Sequence, residues 1–129
     1  MSVVLDASAL MAYLLKEPGH DTVLEAILSG ARMSTVNFSE VATRYVLRGA
    51  DEAQVQSLRA RLPFPLEPLG DEVATTAALM ASVTRRAGLS LGDRCCLALA
   101  KHLDVPALTA DQAWREIADE IGVTVHSVR

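Results

Sequence analysis

Four acidic residues stand directly after apolar runs or open apolar helices. They are Asp6 after Val3-Val4-Leu5, Glu40 after Val36-Asn37, Asp93 after Leu91-Gly92, and Asp111 after Ala107-Leu108-Thr109. Each position also fits a helix cap. Ser90-x-x-Asp93 and Asn37-x-x-Glu40 have the form of a capping box, and Asp6 and Asp111 can each accept the orphan N–H groups of a following helix. Uncharged Ser, Thr or Asn would cap as well, so four charges at four helix starts favour a site. Carboxylates within about 4–6 Å of one another repel and raise their pKa values unless a cation sits among them. Oxygen-only donors select a hard ion, Mg²⁺ or Mn²⁺, over zinc. His20, His102 and His126 are far apart and offer no i, i+4 pair for zinc. A magnesium ion seeks phosphate oxygens and lowers the pKa of its bound water, so the set suits phosphodiester hydrolysis. Ser8, two residues beyond Asp6, has no histidine partner at a suggestive spacing. It reads either as a hydroxyl assisting the metal or as a small helix-start residue. No phosphate-cradling glycine motif and no G-x-S-x-G elbow occurs.

The elements that must position these acids alternate between strand and helix. Val3-Val4-Leu5 reads as a strand buried on both faces, since it is apolar without alternation. Helices are predicted over Ala7 to Leu15, His20 to Leu28, Val36 to Arg48 and Asp51 to Leu62, with Arg32-Met33-Ser34 as a short strand. Phe64 to Leu69 carries too many prolines for a central strand and reads as an edge strand or connector. Asp71 to Ala87 reads as one long helix and Gly92 to His102 as a buried one. Ala107-Leu108-Thr109 is a strand, Gln112 to Glu120 a helix, and Val123-Thr124-Val125 the last strand. This order implies an α/β fold with a mostly parallel sheet covered on both faces and a helical insertion between Asp51 and Ala87. In such a sheet ligands collect beyond the carboxyl ends of the strands, which puts Asp6 and Asp111 at one edge if their strands are neighbours.

Composition bounds the rest. The 129 residues are 50% apolar, 22% charged and 4% aromatic, which suits one domain, residues 1–129, and excludes disorder. The net charge of −4 argues against a protein that coats nucleic acid by bulk electrostatics. Cys95 and Cys96 are adjacent, so they cannot staple distant segments; they read as small apolar residues on a helix. No signal peptide and no membrane span is visible, and the expected location is the cytoplasm. Asn37-Phe38-Ser39 matches a glycosylation sequon, which carries no weight without secretion.

Taken in order, Val4-Leu5-Asp6-Ala7-Ser8-Ala9-Leu10, Ser39-Glu40-Val41, Leu89-Ser90-Leu91-Gly92-Asp93-Arg94 and Leu108-Thr109-Ala110-Asp111 resemble the PIN-domain ribonucleases. Within them the chain is most similar to the VapC-type toxins of bacterial and archaeal toxin–antitoxin pairs. The resemblance spans the whole chain. It implies a parallel five-stranded sheet flanked by helices and a Mg²⁺- or Mn²⁺-dependent endoribonuclease. It also implies a cognate antitoxin whose tail enters the acidic cleft, and a homodimer. Position by position, Asp6, Glu40, Asp93 and Asp111 correspond to metal-binding acids, and Ser8 and Thr109 to hydroxyls near the metal. After Asp111 come Gln112, Ala113 and Trp114, without the second acid of some relatives, which leaves one ion or two open.

RNA must then be met by a protein of negative net charge. Arg44 and Arg48 share a helical face, Arg85 and Arg86 end another helix, and Arg94 adjoins Asp93. Arg94 is the arginine best placed to support the site. A competing reading keeps the fold and discards catalysis, leaving an interaction module whose acids are caps. A receiver domain or haloacid-dehalogenase-like phosphatase fits poorly. The first lacks its late-strand lysine here, and Ser8 stands where the second wants an aspartate.

Overall fold

In a computed structural model, described over residues 2–129, five parallel strands form one sheet. The elements in chain order are β1 (Val3–Leu5), α1 (Ala7–Leu14), α2 (His20–Gly30), β2 (Ala31–Ser34), α3 (Thr35–Leu47), α4 (Glu52–Ala60) and β3 (Leu66–Glu67). There follow α5 (Asp71–Leu79), α6 (Ala81–Thr84), a 3₁₀ turn over Arg85–Ala87, α7 (Leu91–Leu103) and β4 (Ala107–Thr109). A 3₁₀ helix over Gln112–Glu116, α8 (Ala118–Ile121) and β5 (Val125–Ser127) complete the chain. The strand order is β3-β2-β1-β4-β5, so β1 and β4 are central neighbours, with Leu5 opposite Leu108.

Burial explains why these strands lack alternation. Val4 and Ala107 enter one core with Cys96, Leu97 and Trp114, while Leu5 and Leu108 enter the other with Leu10, Met33 and Val41. Successive strand residues therefore find apolar partners on opposite faces, as a sheet covered by helices on both sides requires. Fully burying one such leucine is worth about 1.5–3 kcal/mol. Gly19 shows the closeness of the packing, since it adopts φ +96° and a Cβ there would run into the Val128 carbonyl.

The predicted elements are present with four differences. Residues 71–87 do not form one helix: α5 stops at Leu79, and α6 and the 3₁₀ turn continue it. The buried Thr84 hydroxyl donates to the Met80 carbonyl at 2.9 Å, a back-bond of the kind that bends helices. Nor is the segment from Asp51 to Ala87 a helical insertion, because β3 within it pairs with β2 in the sheet and α5 packs along α7. The helix after Asp111 begins as a 3₁₀ segment; Trp114 and Ile117, both fully buried, lie three apart, the spacing that a 3₁₀ turn stacks on one side. Finally, β5 lies at Val125–Ser127, two residues later than expected, because Val123 turns into the core and Val125 pairs with Ala107.

Candidate active site

β1 delivers Asp6 to the carboxyl edge of the sheet, where it is the N-cap of α1. Its Oδ1 accepts the Ala9 N–H at 2.8 Å, as the capping reading requires. Ser8 also donates to this carboxylate, at 2.8 Å, and Thr109 at the end of β4 donates to its Oδ2 at 2.6 Å. Both hydroxyls predicted to support the site therefore serve Asp6. Ser8 in turn accepts the Ala110 N–H and Thr109 the Asp111 N–H, so the ends of β1 and β4 are laced together through this one acid. Asp6 is only 3% exposed. Burial pushes its carboxyl from an ordinary 3.8 up to about 6; the hydrogen bonds from Thr109, Ala9 and Ser8 oppose the rise and the negative charge of Asp93 adds to it.

Asp93 sits in the first turn of α7. Its Oδ2 accepts the Ser90 N–H at 2.9 Å while the Ser90 hydroxyl accepts the Asp93 N–H at 3.2 Å, so the predicted capping box is complete. Glu40 differs. The predicted box Asn37-x-x-Glu40 is not a box, because α3 begins at Thr35 and is capped by Ser34. Asn37 and Glu40 both lie inside the helix, with Asn37 donating to Glu40 Oε1 at 2.8 Å and to the Gly92 carbonyl at 3.0 Å. Asn37 is 1% exposed, so the sequon at this position is closed to modification. Asp111 is exposed and caps the 3₁₀ helix, accepting the Ala113 N–H at 2.9 Å.

The fully buried Cys96 thiol is pushed well above its ordinary range, first by burial and then by the negative charges of Asp6, Asp93 and Glu40. Asp111 is tied to Asp6 through its own backbone N–H and the Thr109 hydroxyl rather than through its carboxylate. Among the described residues, none of the ion pairs involves any of the four acids. Arg94 does not turn to them either. Its guanidinium donates to the Ala77 carbonyl at 3.0 Å and ties α7 to α5, which corrects the expectation drawn from its place beside Asp93. Arg86 pairs with Glu120, while Arg44, Arg48 and Arg85 are exposed.

The family model of the PIN domain matches residues 3–120. The chain belongs to the PIN domain family. Among solved structures, a chain of a toxin–antitoxin complex from Klebsiella pneumoniae is similar to this PIN domain with a TM-score of 0.72 at 19% identity, covering 98% of each chain. FitAcB from Neisseria gonorrhoeae gives 0.69 at 20% identity, over 99% of this chain and 98% of that one. VapBC2 from Rickettsia felis, bound to a DNA fragment from its promoter, gives 0.72 at 14% identity over 98% of each. At these identities the likeness is one of fold. No curated protein matches the chain by sequence. No helix among the described residues is long and apolar enough to cross a membrane.

Whether the PIN domain's acids suit a divalent ion can be judged from their free lone pairs. Three protein hydrogens, from Ala9, Ser8 and Thr109, serve the roughly four lone-pair positions of Asp6. Among the described residues Asp93 is bonded only at Oδ2 and Glu40 only at Oε1, so each keeps its other oxygen free there. Among the described residues no three His, Cys, Asp or Glu side chains converge into a ready-made metal cage. The free oxygens of Asp93 and Glu40 are donors of the type a hard ion such as magnesium takes. A cleft of about 520 Å³ between α1, α3 and α4, lined in part by Leu10, Tyr13, Tyr45 and Leu58, contains none of the four acids. Sequence reasoning read Asn37 as a cap and a sequon and Gly92 as part of a motif, and gave neither a part in placing Glu40. The available signal was a poor helix former at each position, three residues before Glu40 and one before Asp93.

Proposed function

We propose that this PIN domain is a metal-dependent endoribonuclease acting as the toxin of a toxin–antitoxin pair. The observation that carries the reading is Asp6, a carboxylate buried at the sheet's carboxyl edge and raised to about 6 by that burial, with no ion pair to offset its charge among the described residues. Asp6 and Asp93 would hold Mg²⁺ or Mn²⁺, with Glu40 and Asp111 completing the shell or orienting water. The bound ion would supply positive charge against the scissile phosphate and an acidified water as nucleophile. The chain's own residues prepare that chemistry. Ser8 and Thr109 fix both oxygens of Asp6, Ser90 fixes Asp93, and Asn37 fixes Glu40. Cys96, held as a thiol, leaves the donors all oxygen. RNA would lie along the exposed edge at Asp111. An antitoxin partner follows by analogy with the toxin–antitoxin complex of like fold, and a homodimer is what the family resemblance implies.

A second reading takes the acids as caps, and Asp6, Asp93 and Asp111 do each cap a helix or a 3₁₀ start. Glu40 weighs against it, since it lies within α3 and its recorded bond is to the Asn37 side chain. The deciding experiment is cleavage of a structured RNA by the purified protein with Mg²⁺ or Mn²⁺, with chelator, and with Asp6→Asn. Metal-dependent cleavage lost in the variant supports the nuclease. Equal cleavage by wild type and Asp6→Asn, or none by either, moves the cap reading to first place.

A further inference from the structure

We propose that Asn37 and Gly92 are a positioning pair that holds the Glu40 carboxylate in place beside the first turn of α7. The proposal rests on the nuclease reading for its purpose, though its geometry stands apart from any metal. Asn37 lies in α3 with 1% of its surface exposed, and its amide donates both to Glu40 Oε1 at 2.8 Å and to the Gly92 carbonyl at 3.0 Å. Because both of its partners are oxygens, the amide cannot be turned over. Its Oδ1 is buried with no hydrogen-bond partner among the described residues, a cost that an apolar residue would avoid. Gly92 lies in α7, where alanine would make the better helix. A Cβ on Gly92 would run into the Glu40 carboxylate, on both oxygens and Cδ. Two residues unfavourable to their own helices thus meet at one carboxyl group, Asn37 grasping it and Gly92 leaving room for it. Neither residue is a cap, since Ser34 caps α3 and Ser90 caps α7.

Gly92→Ala is the informative variant, because the atoms it would strike are the end of a flexible side chain. Glu40 can swing away, so the helix gains from alanine while the carboxylate loses its place. Melting midpoints without metal are measured for the wild type, Gly92→Ala, Glu40→Ala and the double variant. The Gly92→Ala change should raise the midpoint more in the Glu40→Ala background than in the wild type, by about 2 °C or more. Binding of Mn²⁺ is then titrated calorimetrically. Gly92→Ala and Asn37→Leu should each weaken it about 10–100-fold, as loss of an outer-shell partner does. Additive midpoints would overturn the proposal. So would a Glu40→Ala variant that loses Mn²⁺ while Gly92→Ala and Asn37→Leu bind it like the wild type, and that result would leave the nuclease reading intact. Coupled midpoints in a protein that ignores Mn²⁺ would support the positioning pair and remove the metal reading instead.

Discussion

The capping box that opens α4 and the one that opens α7 are built alike, yet only the second stands beside a buried carboxylate. In α4, Asp51 accepts the Gln54 N–H at 2.9 Å and the Gln54 side chain accepts the Asp51 N–H at 2.9 Å. In α7, Ser90 and Asp93 exchange the same two bonds at 3.2 and 2.9 Å. The α4 box manages its third position with neutral Gln54, so reciprocal capping does not need the charge that Asp93 carries. What separates the two is their place in the fold. α4 has no buried residue and lies away from the acids, whereas α7 is buried along most of its length and starts at the sheet's carboxyl edge. A motif reports local geometry; the topology decides which charges it must live with.

The sharpest way to break this comparison is to remove one charge from each box. Asp93→Asn should lower RNA cleavage by more than about 100-fold, since outer-shell changes alone cost 10–100-fold. Asp51→Asn should change it by less than about twofold, being a remote surface cap. Equal cleavage by the two variants would erase the distinction. The next effect is thermal. At a hundred times its dissociation constant, Mn²⁺ should stabilise the wild type and Asp51→Asn by about 2.7 kcal/mol, a shift of several degrees in Tm that Asp93→Asn should largely lose.

A third effect concerns pH, and Asp6 sets its sign. The folded carboxyl titrates near 6, above its unfolded value, so folding favours the proton. The associated stability is complete below about pH 4 and is lost as pH rises through 6. In metal-free protein at pH 7.5, Asp6→Asn should therefore be more stable than the wild type by about 1–3 kcal/mol, with the gap closing by pH 4. Urea titrations at the two pH values measure it, and a constant gap would show that Asp6 is not strained by its charge. The smallest effect comes from the caps themselves. Asp51→Ala and Ser90→Ala should each cost about 1 kcal/mol. In chemical denaturation the two should match within experimental scatter, since as caps the boxes are equivalent.

Much of this was legible in the chain, for identifiable reasons. A strand buried on both faces leaves an unbroken apolar run, and the acid that ends the run marks the sheet's carboxyl edge; Asp6 and Asp111 were found that way. Prolines at positions 65 and 68 identified the β3 segment as an edge strand or connector, and it pairs at the edge. The failures are equally physical. The break between α5 and α6 at Met80, where the Thr84 hydroxyl bonds back to the carbonyl, leaves no mark in the periodicity. The link from Asn37 to Gly92 joins residues 55 apart, so it exists only once α3 and α7 are packed. Arg94 misled because adjacency in a helix is not adjacency in space. Its neighbour Asp93 makes its bond to Ser90, whereas its own side chain reaches back to Ala77.

The sheet's two ends carry a consequence for how copies of this molecule can meet. One border strand has two residues between prolines 65 and 68, and the other has three. Neither offers a length of open backbone onto which a foreign strand could zip, the usual route by which sheet proteins fuse into ribbons. Short borders thus discourage lateral growth, and the large apolar side chains left in solvent stand on helices instead, with leucines at positions 28, 47 and 79 more than three-quarters exposed.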